Sequence, residues 1–108
     1  MIKPRTKRIL TKQDVLRVLR NEYDFLRKTF GVQKIAIFGS FAKGRPTGKS
    51  DVDIFVEIER LLGFEFLDMI DYLEKKLGRK VEMLTPAGVQ SIRIKSISRD
   101  IRRSLVYV

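Results

Sequence analysis

Residues 39–57 read GSFAKGRPTGKSDVDIFVE. A glycine–serine pair is followed, after ten residues, by Asp51-Val52-Asp53. The stretch from Val52 to Glu59 alternates apolar and polar residues, which predicts a strand. Val52, Ile54, Val56 and Ile58 share one face, and Asp51, Asp53, Phe55 and Glu57 share the other. Asp51 and Asp53 then stand about 6.5–7 Å apart on one side of the strand. Two carboxylates held side by side repel each other unless a cation lies between them. Gly39 allows positive φ and close approach of a ligand to the backbone. The N–H groups of such a turn form an anion-binding nest, and the Ser40 hydroxyl can donate to a phosphate oxygen. Taken alone, each half is ordinary turn or strand-start chemistry. Together they predict a divalent cation beside a phosphate-holding turn.

Working outward, Lys34–Phe38 (KIAIF) reads as a short strand running into Gly39, and residues 39–50, with three glycines and a proline, read as a loop. Lys80–Leu84 (KVEML) is a third strand, stopped by Pro86. Glu82 lies inside it between apolar Val81 and Met83, which makes it the candidate third carboxylate. Glu57 shares the aspartates' face but stands about 13 Å from Asp53, too far for one cluster.

Helices complete the pattern. Thr11 is an N-cap with Asp14 three residues later, a capping box. Val15, Leu19, Tyr23, Leu26 and Phe30 follow at helical spacing, and Gly31 stops the helix after about Thr29. Phe66, Leu67, Ile70, Leu73 and Leu77 predict a second helix ending at Gly78. Phe64 and Met69 fall off its stripe and are expected at the surface. From Gln90 onward, Ile94, Ile97, Ile101 and Leu105 predict a third helix, whose other face carries Arg93, Lys95, Arg99, Arg102 and Arg103. The expected order is α-β-β-α-β-α. This is an α/β (α+β) fold with a small mixed sheet flanked by helices. Residues 1–10 read as a basic, flexible lead-in, and residues 11–108 as a single domain.

The bulk composition narrows the chemistry. The 108 residues suit one domain, and 44% hydrophobic content supplies a core. There is neither cysteine nor histidine, which excludes disulfides, thiolate sites and imidazole catalysis. Carboxylates, hydroxyls and cations must do any chemistry, with a hard metal. No apolar run reaches the roughly 20 residues of a membrane span, and the first residues lack a signal peptide's apolar centre, so a cytoplasmic protein is expected. The net charge of +10 attracts polyanions without naming one. The third helix carries no base-reading motif or stacking aromatic. Direct nucleic-acid binding is therefore less favoured than a solvated face or an acidic protein partner.

The spacing G-S-x10-D-x-D after a strand resembles the signature of the nucleotidyltransferase superfamily that includes DNA polymerase beta. GSFAKGRPTGKSDVDIFVE closely resembles the minimal nucleotidyltransferase (MNT) family. LEKKLGRKVEMLTP (residues 73–86) is similar to that family's third acidic strand, and the terminal SLVYV to its usual ending. The likeness runs from about Val15 to Val108.

The resemblance implies a nucleotidyltransferase fold in which Gly39 and Ser40 hold the triphosphate of ATP. Lys43 and Ser50 complete the expected cofactor-binding set. Asp51, Asp53 and Glu82 are the implied catalytic and metal residues, binding two Mg²⁺ ions. An acceptor hydroxyl attacks the α-phosphate and pyrophosphate leaves. Small members of this family resemble the antitoxin half of pairs whose toxin is a HEPN ribonuclease, silenced by AMP transfer to a tyrosine. The alternative is a non-catalytic antitoxin that neutralises its partner by complex formation. Two departures stand out: Glu82 replaces the family's usual aspartate, and Lys43 its frequent arginine.

Overall fold

The computed structural model of the chain describes residues 10–60 and 62–108. The predicted lead-in therefore lies, apart from Leu10, outside the described residues. Nine elements follow in order: α1 (Lys12–Phe30), β1 (Val32–Phe38), α2 (Gly39–Ala42), β2 (Val52–Ile58), α3 (Glu65–Leu77), β3 (Val81–Leu84), α4 (Pro86–Gln90), α5 (Lys95–Ser104) and β4 (Val106–Tyr107). Among the described residues no helix is long and apolar enough to cross a membrane.

The four strands form one mixed sheet in the order β3-β2-β1-β4. β1 runs antiparallel to both β2 and β4, while β2 and β3 are parallel. The mixed sheet flanked by helices agrees with the expected class. Three short elements correct the expected order. The Gly39 turn coils into the single turn of α2. Pro86 stops β3 and also starts α4, because its fixed φ suits the first turn of a helix and Thr85 caps it by accepting from the Gly88 N–H. Leu105 leaves the third predicted helix for extended backbone, so the chain ends in an edge strand.

Alternation along the strands builds a core on each face of the sheet. On one side Ile35, Ile37, Val52, Ile54, Val56, Val81 and Met83 pack under α1 and α3. α1 begins in the predicted capping box: Asp14 N–H donates to Thr11 Oγ1 at 3.1 Å, and Thr11 N–H to the Asp14 carboxylate at 3.0 Å. Gly31 ends it at φ 76°. Tyr72 of α3 donates to Glu22 of α1 at 2.5 Å and stacks on Phe25, with ring centroids 4.7 Å apart, tying the two helices together.

On the other side a smaller core of Ala36, Phe38, Phe55 and Val89 is covered by Leu84, Ile101 and Leu105. Phe55 is therefore buried, although it shares a face with Asp53. The expected polar face is polar only at its open end.

α3 sits rotated from the predicted stripe. Met69 is fully buried, whereas Leu67 is 60% exposed. Both differ from the sequence reading, while Phe64 is exposed as expected. The rotation brings Met69, Leu73 and Leu77 onto the sheet. Met69→Ala is expected to cost about 2–4 kcal/mol of stability, against less than about 0.5 kcal/mol for Phe64→Ala. Urea unfolding of the two variants measures the contrast.

Candidate active site

The site is assembled by strand register. β1 and β2 pair so that Phe38 lies opposite Asp53. The residue after Phe38, Gly39, is thereby set against Asp53. Gly39 has φ 72°, and a Cβ built there would run into the Asp53 carboxylate. Glycine is required twice, by the left-handed backbone and by the neighbour. The parallel pairing of β2 with β3 places Glu82 beside Asp53. Asp51 precedes β2 by one residue. Asp53 is half-buried, and Asp51 and Glu82 are exposed.

These groups act on one another electrostatically. The Asp53 carboxyl is pushed up from 3.8 to about 6 by burial, then by the negative charges of Glu82 and Asp51. Among the described residues no three carboxylates enclose a ready-made ion cage. The donors are nevertheless oxygens only, carry charge that lacks a counter-ion, and border a glycine turn. Such a set fits a hard divalent cation that keeps waters and takes phosphate oxygens as further ligands, the usual manner of Mg²⁺. Asp51, Asp53 and Glu82 could hold it.

The remaining predicted residues fall in different places. Ser40 is half-buried within α2, next to Gly39. Lys43 caps α2 and reaches Asp100 of α5 at 3.9 Å across an exposed gap. The Ser50 hydroxyl accepts from the Thr47 N–H at 2.8 Å, so it closes the turn before Asp51. Glu57 lies opposite Lys34 near the other end of β2, bordering a cavity of about 330 Å³ with Gln33, Arg60 and Phe66. It is separate from the carboxylate cluster.

Arg79 escaped the sequence reading. Its guanidinium donates to the Ser50 carbonyl at 2.7 Å and, more weakly, to the Thr47 carbonyl at 3.4 Å. It also lies over the ring of Phe41, 5.6 Å from the centroid. One side chain thus joins the start of β3, α2 and the loop leading to Asp51. A lone arginine after a helix-ending glycine gives no sequence signal of this.

A sequence model of the nucleotidyltransferase domain matches residues 16–108. The chain belongs to the nucleotidyltransferase domain family and is a nucleotidyltransferase enzyme. It is 33% identical over 101 residues to the protein adenylyltransferase MntA of Thermococcus cleftensis, covering 93% of this chain and 98% of the relative. A solved structure provisionally described as a minimal nucleotidyltransferase superposes with a TM-score of 0.68 at 22% identity, over 89% of this chain and 94% of that one. A chain from the complex of tri-AMPylated Shewanella oneidensis HEPN toxin with MNT antitoxin superposes with a TM-score of 0.52 at 16% identity, over 89% of this chain and 66% of that one. At these identities the two structures show the shared fold.

Two outcomes test the site. A carboxyl whose folded pKa is raised stabilises the fold most when protonated, and that advantage is lost as pH rises through about 6. In metal-free buffer Asp53→Asn is therefore expected to stabilise the protein at pH 7.5, by about 1 kcal/mol after allowance for solvent screening. The gain shrinks toward zero near pH 4, and thermal melts across pH read it. Arg79→Ala is expected to lower kcat about tenfold with a smaller change in KM for ATP. Arg79→Lys, which keeps the charge but loses the fork, restores only part of the rate in steady-state kinetics.

Proposed function

We propose that this chain is an antitoxin that transfers AMP from ATP to a tyrosine hydroxyl of a HEPN-type toxin, with Mg²⁺ as cofactor. The observation that carries the reading is the contact of Gly39 with Asp53, flanked by Glu82 across the parallel strand pair. The close approach of a glycine turn to the centre of a carboxylate cluster supports this reading. The names of a relative and of a fold neighbour supply the acceptor class: a protein adenylyltransferase, and an AMPylated HEPN toxin bound to an MNT antitoxin.

In this reading the N–H groups at Gly39 and Ser40, together with the Ser40 hydroxyl, hold the triphosphate. Lys43 offers a further cation. Asp51 and Asp53 hold the metal, which when bound neutralises phosphate charge and lowers the barrier to displacement. The tyrosine oxygen forms a bond to the α-phosphorus as the bond to the bridging oxygen breaks, and pyrophosphate departs. Glu82, exposed at the mouth, accepts the tyrosine proton directly or through water. Catalysis rests on alignment and charge neutralisation.

The competing reading is neutralisation by occlusion alone. Glu82 in place of aspartate and the open carboxylate cluster favour it. Incubation with α-labelled ATP, Mg²⁺ and the HEPN partner separates the two. Label is expected on the partner, with a loss of about a hundredfold or more in Asp51→Ala/Asp53→Ala. Absence of label on folded partner with the wild-type chain defeats the transfer reading. Full neutralisation in cells by the double variant favours occlusion.

A further inference from the structure

The apolar stripe of α5 runs off the body of the protein. Its later members, Ile101 and Leu105, pack on the small core of Phe38, Phe55 and Val89. Its earlier members, Ile94 and Ile97, are 58% and 47% exposed, and α5 contains no buried residue. The same segment carries five cations, Arg93, Lys95, Arg99, Arg102 and Arg103, and at 3.6 residues per turn Arg99 and Arg103 stand on the side of α5 away from the isoleucines. Among the described residues none of the five has an ion-pair partner, and the segment's single carboxylate, Asp100, is spent on Lys43. A shallow depression of about 260 Å³ opens among Ser96, Arg99, Asp100 and Arg103.

We infer that the exposed face of α5 is the docking surface for an acidic, partly apolar protein segment, and that this segment belongs to the acceptor protein. The inference rests on the proposed function and names where the partner sits. Three observations favour a protein over a nucleic acid. Two isoleucines stand exposed on one side of the helix, where a phosphate backbone would gain nothing from them. Exposed apolar residues together with arginines are the composition of protein interfaces. No aromatic side chain stands on α5 to stack a base. The unpaired positive charge sets the sign of the partner, since like charges juxtaposed across an interface are strongly unfavourable.

The position suits the chemistry. Lys43 caps α2, the turn that begins with Gly39 and Ser40, and its ion pair with Asp100 ties that turn to α5. α5 also covers the same sheet face that carries Asp53 and Glu82 at its open end. A partner held on α5 therefore lies on the same side of the sheet as the carboxylates.

The test uses the full chain and the full HEPN partner, with affinity measured by calorimetry at low and high salt. Wild-type affinity is expected to fall as salt rises. Arg99→Glu/Arg103→Glu is expected to weaken binding about tenfold or more. Ile94→Ser/Ile97→Ser, which alters only exposed positions, is expected to weaken it about fivefold. Binding of Mg–ATP should remain at the wild-type level in both, which shows an intact fold. Variants that bind the partner like wild type overturn the docking surface while leaving the proposed function in place. A wild-type chain that neither binds nor labels the partner overturns both. The surface is also overturned if the charge variants lose affinity for a 20-base-pair DNA duplex or a single-stranded RNA, yet keep it for the protein.

Discussion

The contact between Gly39 and the Asp53 carboxylate governs the rest of this site. It follows from the antiparallel pairing that sets Phe38 opposite Asp53. The turn after β1 must pass directly over the carboxylate, and only a residue without a Cβ, at positive φ, does so. Any slip of one residue between β1 and β2 would turn Asp53 into the large core and move Ile54 to the site. The hydrophobic alternation of β2 therefore fixes the catalytic geometry as well as the fold. Val52, Ile54 and Val56 are buried beneath α1 and α3, and that burial holds Asp53 facing the other way.

A carboxylate cluster of this kind is electrostatically uphill. Asp53 is displaced toward its neutral form by burial and by two like charges, a repulsion that a bound cation would relieve. The protein as a whole carries the opposite imbalance, with a net charge of +10. Part of that positive charge gathers on α5, which holds Lys95, Arg99, Arg102 and Arg103, while Arg79 is directed at carbonyl oxygens. The two imbalances do not cancel locally. The carboxylate cluster favours a cation, and the helix on the same sheet face favours an anion.

How much of this was readable depended on whether a feature is periodic. Strands β1, β2 and β3, helices α1 and α3, and the capping box all follow from spacing, because apolar periodicity is written into the residues themselves. The shared face of Asp51 and Asp53 came from the same rule, and so did the isolation of Glu82 between Val81 and Met83. Short elements were not readable. α2 and β4 contain 4 and 2 residues, too few to show a period. Met69 was misplaced because the stripe through Leu67 and the stripe through Met69 are both plausible windows on one helix, and only the sheet beneath selects between them. Arg79 was invisible for a different reason: its role lies in contacts to residues 29 and 32 positions away, and its own neighbourhood in sequence contains no trace of them.

The glutamate at position 82 can be placed in the same frame. The parallel register of β2 and β3 fixes its backbone beside that of Asp53, so the extra methylene cannot be absorbed by sliding the strand without also displacing Val81 and Met83 from the core. The longer side chain must instead carry its carboxylate outward, and it is exposed while Asp53 is half-buried. Under the proposed transfer reading, this separates the two functions that an aspartate there would combine. A carboxylate further from Asp53 is less suited to closing a tight metal shell, and better suited to meeting a hydroxyl that arrives from solvent on another protein. The position of α5 beside that same mouth is consistent with an acceptor delivered from outside rather than bound within. Under that reading Glu82 is an adjustment to where the acceptor comes from, and the fixed strand register is what makes one methylene sufficient to produce it.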